Sequence, residues 1–88
     1  MAYAYRDKYG ILHCVKSKAL ADRYAKGQVA EYNGACEGGY PTVDGLAVFD
    51  YGEGEIYIGG NKGSGDKLEV CGKRVQDAVK VLLGDIGI

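Results

Sequence analysis

The strongest pattern of hydrophobic and polar positions lies in residues 46–60, LAVFDYGEGEIYIGG. Two runs rich in β-branched and aromatic residues flank a glycine-rich turn, which predicts a β-hairpin able to set the register of a sheet. A second hairpin is predicted over residues 2–15, where AYAYR and ILHCV flank Asp7-Lys8-Tyr9-Gly10. Asp at the first turn position and Gly at the fourth suit a type I turn closed by a left-handed glycine bulge.

Helical spacing replaces the strand period at two places. Ser17 is an N-cap, residues 18–26 follow as a short helix, and Gly27 ends it. Leu20 and Tyr24 stand one turn apart on the face expected to pack, while Lys18, Asp22 and Lys26 stay wet. Near the C-terminus, Leu68, Cys71, Val75, Val79 and Leu82 keep helical spacing behind a capping box of Asp66 and Glu69, with Gly84 closing the helix. Gly72 weakens this helix by about 1 kcal/mol relative to Ala. A competing assignment makes residues 68–71 a strand and starts the helix near Lys73, but cap and spacing together favour the longer helix. Residues 28–32 (QVAEY) read as a short additional strand. Residues 33–45 hold four glycines and the only proline and read as a long loop.

These elements predict one α+β domain over residues 1–88: an antiparallel sheet of four to five strands with two helices packed on one face, in the order ββα-β-ββα. At an offset of 44, Tyr5, Gly10, Leu12, His13 and Cys14 fall on Phe49, Gly54, Ile56, Tyr57 and Ile58, which raises a duplicated ββα unit as a hypothesis.

Placing Gly10 and Gly54 as bulges assigns the two faces of each hairpin. Ala4 then faces Cys14 and Val48 faces Ile58, with Leu12, Leu46 and Ile56 on the same aliphatic side. On the opposite side Tyr5 faces His13 and Phe49 faces Tyr57, with Tyr3 nearby; Tyr40 and Val43 of the long loop are placed to fold over them. A two-residue turn at Gly52-Glu53 would set Asp50 opposite Glu55, and that like-charge pair argues against it.

Composition changes this picture little. Hydrophobic residues make up 47% of the 88-residue chain and charged ones 26%, with a net charge of -1, which is ordinary for a globular protein and supplies no overall basic field for nucleic acid. Nucleic acid is therefore not the expected partner, although Arg6, Lys8, Lys16, Lys18 and Lys62 are placed to gather at the rim of the aromatic face. The N-terminus lacks an apolar signal-like region, no apolar run is long enough to span a bilayer, and Cys14, Cys36 and Cys71 form no CxxC pair. The expectation is a soluble cytoplasmic protein, with no membrane partner and three free thiols.

Candidate chemistry is sparse. His13 is the only histidine, and its neighbour Cys14 points to the opposite face, so neither a Cys-His nucleophile nor a zinc site is predicted. No catalytic residue, cofactor or metal is expected. The 59–67 loop resembles a phosphate loop only in outline, because Gly65 is followed by Asp66 where a Walker A motif has Lys. If it leads into a helix N-terminus, backbone N–H groups from Gly60, Asn61, Lys62, Gly63, Ser64 and Gly65 could hold an anion or nucleotide, with Lys62 or Lys67 assisting. Asp50, Glu53 and Glu55 read as solvated turn charges. The leading functional expectation is a non-enzymatic interaction module of adaptor or inhibitor type. It binds a protein partner or a second copy through Tyr3, Tyr5, His13, Phe49, Tyr57 and Tyr40. A binder of a small anionic ligand, using the 59–67 loop and neighbouring aromatics, is the second class, and an enzyme the third.

Overall fold

The computed structural model describes residues 1–87; Ile88, the last residue of the expected domain, lies outside the described residues. The elements run β1 (Ala2–Arg6), β2 (Leu12–Val15), α1 (Lys18–Tyr24), β3 (Ala30–Tyr32), β4 (Cys36–Glu37), β5 (Tyr40–Val43), β6 (Leu46–Asp50), β7 (Ile56–Ile58), β8 (Asp66–Lys67), a 3-10 turn at Leu68–Val70, and α2 (Lys73–Asp85). Every strand pair is antiparallel. In place of one sheet of four to five strands there are two, a three-stranded sheet β2-β1-β3 and a five-stranded sheet β4-β5-β6-β7-β8.

Both hairpins adopt the register that side-chain alternation requires. Ala4 pairs with Cys14 and Tyr5 with His13, while Val48 pairs with Ile58 and Phe49 with Tyr57. Gly10 and Gly54 take left-handed φ values of 85° and 90°, a region that costs an L-residue strain and glycine none. In the first turn the Asp7 carbonyl accepts the Gly10 N–H at 2.9 Å. Its side-chain Oδ1 accepts the N–H groups of Tyr9 and Ile11 at 2.8 and 3.0 Å, so one aspartate satisfies most of the turn's backbone donors.

The aliphatic faces of both sheets meet in one core. Ala4, Leu12, Ala30, Val43, Val48 and Ile58 pack with Val79, Leu82 and Ile86 from α2 and the residue following it. Leu12, Val48 and Val79 are fully enclosed, each contributing about 1.5–3 kcal/mol from removal of its side chain from water. Leu46, expected in this core, is 44% exposed at the outer end of β6.

The segment read as a loop is a pair of hairpin turns with strand between them. Gly38 and Gly39 have φ of 61° and 89° and connect Glu37 to its partner Tyr40. Asp44 and Gly45 have φ of 53° and 77° and connect Val43 to its partner Leu46. Two consecutive positive φ values define the turn that matches the natural twist of antiparallel strands. The glycines therefore serve tight turns, and residues 36–37 and 40–43 are freed to pair.

The C-terminal helix is the shorter of the two expected. Asp66 and Lys67 pair with Ile58 and Tyr57 as β8, so the backbone groups that a capping box would serve are spent on an edge strand. α2 starts at Lys73 with Gly72 as its N-cap, which keeps the poor helix former outside the helix. Leu68 and Cys71 still pack against the core, the apolar positions being right although the backbone there is not helical. Gly84 lies within α2, and Gly87, at φ 81°, is the left-handed residue beyond its C-cap Ile86.

In α1, the Ser17 side chain accepts the Leu20 N–H at 3.3 Å. The helix stops at Tyr24, short of the expected Lys26, because the Lys26 N–H donates to the Arg6 carbonyl at 2.8 Å instead. It buries only Ala21. Leu20 and Tyr24, expected to pack, are 45% and 54% exposed, since two turns resting on an alanine hold the larger neighbours off the sheet. Among the described residues no helix is long and apolar enough to cross a membrane.

Candidate functional site

The two sheets meet where β2 passes β5. The Cys14 N–H donates to the Gly39 carbonyl at 2.7 Å, and Cys14 is disulfide-bonded to Cys36 of β4. Tyr32 of β3 donates its hydroxyl to the Thr42 carbonyl, and the Thr42 hydroxyl donates to the Ala35 carbonyl at 2.9 Å. The three cysteines are thus not all free thiols; Cys71 alone is. Burial first, then Asp66 and Glu69, push the Cys71 thiol above its ordinary value. The Cys14–Cys36 pairing follows from the adjacency of β2 and the β4–β5 hairpin, which no sequence spacing encodes.

On the opposite face from Cys14 the same seam brings His13 against Tyr40, ring centroids 6.5 Å apart and 18° from parallel. This joins two cross-strand pairs into one row. Tyr5 stacks on His13 at 5.3 Å, and Tyr40 packs on Phe49 at 4.2 Å. The row continues from Phe49 to Tyr51 at 6.3 Å and from Tyr51 to Tyr57 at 6.5 Å. Most of these separations are in the range where aromatic rings attract one another beyond simple area burial. Tyr51 was not among the expected members because it sits in the turn after β6, where strand alternation no longer assigns a face. Tyr3 is on the same side of β1 as Tyr5 and lies outside the stacked row.

Tyr5 and Tyr57 are buried, and Tyr3, His13, Tyr40, Phe49 and Tyr51 are half-buried. Tyr40 does not fold over the row as a lid. It enters as one ring of it, from β5, while Val43 turns into the aliphatic core. The half-buried rings form a flat strip of aromatic surface that crosses from one sheet to the other.

Polar groups fix its two ends. At one, His13 Nε2 donates to Asp7 Oδ2 at 2.7 Å. Burial raises the Asp7 pKa, but the His13 bond and the N–H groups of Ile11 and Tyr9 outweigh it and hold the carboxyl below its ordinary value. Burial raises Tyr5, reinforced by Asp7 and Tyr24. At the other end, the Tyr57 hydroxyl donates to Glu55 at 3.3 Å and Glu55 is ion-paired with Lys67 at 3.1 Å. The bond between Lys67 and Glu55 lowers the Glu55 pKa and raises that of Lys67.

Behind the row Arg6 bridges the two hairpins. Its guanidinium contacts Asp50 Oδ2 at 2.6 Å and donates to the Gly10 carbonyl at 2.7 Å. Asp50 Oδ1 accepts the Gly52 N–H at 2.9 Å. Asp50 is only 4% exposed, so it is not a solvated turn charge. Arg6 and Lys18, placed by sequence at the rim, are instead engaged with Asp50 and Asp22.

The glycine-rich loop is built on itself. Asn61 Oδ1 accepts the Gly63 N–H at 2.9 Å and the Ser64 hydroxyl at 3.1 Å. The Asn61 carbonyl accepts the N–H groups of Ser64 and Gly65 at 3.1 and 2.7 Å. A side chain at Gly65 would meet the Gly60 carbonyl oxygen at 2.1 Å, so these backbones touch. The loop leads into β8 and not into a helix N-terminus, the expected source of an anion-attracting end. Gly60 thus packs the loop, Lys62 is exposed on it, and Lys67 is held by Glu55.

No protein-family model, no curated protein and no solved structure matches the chain.

Proposed function

We propose that the chain is a small interaction module that binds a protein partner or a second copy of itself through the aromatic row. The observation that carries this reading is the continuity of the row. Half-buried rings at His13, Tyr40, Phe49 and Tyr51 follow one another across two sheets, with half-buried Tyr3 on the same side of β1 as Tyr5. Aromatic side chains of this kind bring large contact area with little rotamer entropy to lose, which is what a binding surface of a small rigid domain needs. The Cys14–Cys36 bond under the seam supports the reading, because it fixes the relation between the two halves of the strip before any partner arrives. The same bond is of a type that persists in oxidising surroundings, and it removes the support that free thiols gave to a cytoplasmic location.

We also read the two hairpins as copies of one unit. Their registers coincide at an offset of 44, residues 4 and 14 matching 48 and 58, and Gly10 and Gly54 share a left-handed backbone. The second reading of the sequence, an anion held by the 59–67 loop, meets N–H groups of Gly63, Ser64 and Gly65 already engaged by Asn61.

Light scattering over a concentration series tests the self-association form. A dimer is expected whose mass falls to that of the monomer in Tyr40→Ser, with an unchanged far-UV circular dichroism spectrum. A wild-type chain that stays monomeric, and whose Tyr40→Ser variant co-purifies with the same proteins from its native source as the wild type does, would sink both forms.

A further inference from the structure

A separate cleft of about 400 Å³ opens between the first hairpin turn and the end of α1, lined by Asp7, Lys8, Tyr9, Arg23, Tyr24 and Lys26 among others. Other surface depressions are as large, so its lining and not its size singles it out. We propose that it binds a nucleotide phosphate, the base stacking on Tyr9 or Tyr24 and the phosphate held among Lys8, Arg23 and Lys26.

Of the eight tyrosines, six are buried or half-buried; Tyr9 and Tyr24 are the exposed ones, at 71% and 54%, and both line this cleft. Arg6, Lys18, Lys67, Lys73 and Arg74 are each paired with a carboxylate. Six cations make no such pair among the described residues, and three of them, Lys8, Arg23 and Lys26, converge on this one cleft in a chain whose net charge is -1. Lys8 and Arg23 lie against the tyrosine rings, 5.1 and 5.5 Å from the centroids of Tyr9 and Tyr24. Each ring is thus pre-set beside a cation, and its large exposure leaves surface for a base.

Two features oppose an anion. Asp7 carries one negative charge, but its oxygens already accept His13 and the N–H groups of Tyr9 and Ile11. The C-terminal end of α1 adds a partial negative charge of about half a unit. Three free cations outweigh both. Inorganic phosphate alone makes no use of the two exposed rings, whereas a nucleotide answers both features at once, as stacking and phosphate contact do in single-strand binding sites. The cleft holds two exposed rings and three cations, so its footprint is one or two nucleotides, taken either as a free nucleotide or from a single strand.

The test is titration of the intact, oxidised protein with adenosine 5′-monophosphate, decathymidylate and inorganic phosphate, followed by amide chemical shifts. Shifts clustered at residues 7–9 and 23–26 are expected with the first two probes. Tighter binding of decathymidylate would identify a strand as the source, and equal binding a free nucleotide. The double variant Tyr9→Ala, Tyr24→Ala should weaken nucleotide binding by about tenfold and Tyr9→Phe, Tyr24→Phe should restore it. Lys26→Ala should weaken it uniformly and reduce the salt slope for decathymidylate by about 1. All these side chains are exposed, so the variants keep the fold. Inorganic phosphate binding as tightly as the nucleotides, a hexaglutamate peptide binding more tightly, shifts confined to the aromatic row, or no shift at millimolar probe would each overturn the proposal.

Discussion

Arg6 and Asp50 carry more of the architecture than their positions suggest. Each ends the first strand of its hairpin, and their ion pair ties together two turns whose backbones nearly touch: a side chain at Gly52 would meet the Gly10 carbonyl oxygen at 2.9 Å. Asp50 is nearly enclosed, so removing its partner leaves a charge with neither water nor a cation. Arg6→Ala is expected to cost about 3–5 kcal/mol, a fall of some tens of degrees in melting temperature for a domain of this size, at about 4–8 °C per kcal/mol. The double variant Arg6→Met, Asp50→Leu should recover part of that loss, because it leaves no unpaired charge, while the Gly10 carbonyl and Gly52 N–H lose their side-chain partners. Equal melting temperatures for Arg6→Ala and wild type would show that water reaches Asp50. Sequence gave no hint of this pair, since charged residues beside glycine turns are solvated by default and only the packing of one turn on the other excludes water.

At the level of elements, the disulfide joins β2 to β4 across 22 residues of chain. Closing a loop of this length restricts the unfolded chain and stabilises the fold by about 3 kcal/mol. Reduction, or a Cys36→Ser substitution, should lower the denaturant midpoint accordingly, and thiol titration of the unfolded, unreduced chain should find one reactive group, Cys71. Three reactive groups would mean that the bond does not form. The hairpins themselves were legible because alternation, turn glycines and register are local and agree. Gly38-Gly39 and Asp44-Gly45 are dipeptides that favour paired positive φ, but residues 33–45 read as a long loop because a high glycine count suggests one where here it marks two turns. The Asp66/Glu69 capping box misled because a cap signature is also compatible with an edge strand, and pairing of β8 with β7 decides between them. The adjacency of β2 and β5 was invisible, and with it the disulfide and the joining of two aromatic pairs into one row.

For the molecule as a whole, acid stability is set partly by the Asp7 turn. The folded-state pKa of Asp7 is lowered, since its hydrogen bonds outweigh burial. Its contribution is therefore complete above the unfolded aspartate value of about 3.9 and is lost as pH falls through the lower folded value. Asp7→Asn should be less stable than wild type at neutral pH, and the two denaturation midpoints should converge as the solution is acidified. A gap that stays constant down to the most acid pH would assign the loss to the backbone turn alone.

The bond between Cys14 and Cys36 also makes part of this chain a ring. The ring holds all of α1 and β3, together with the exposed run Lys26, Gly27 and Gln28 between them. A protease that cuts the backbone inside the ring opens a circle and releases nothing, and both pieces remain one molecule. The exposed segment between α1 and β3 is therefore one where a nick leaves the chain covalently whole until a reductant separates it.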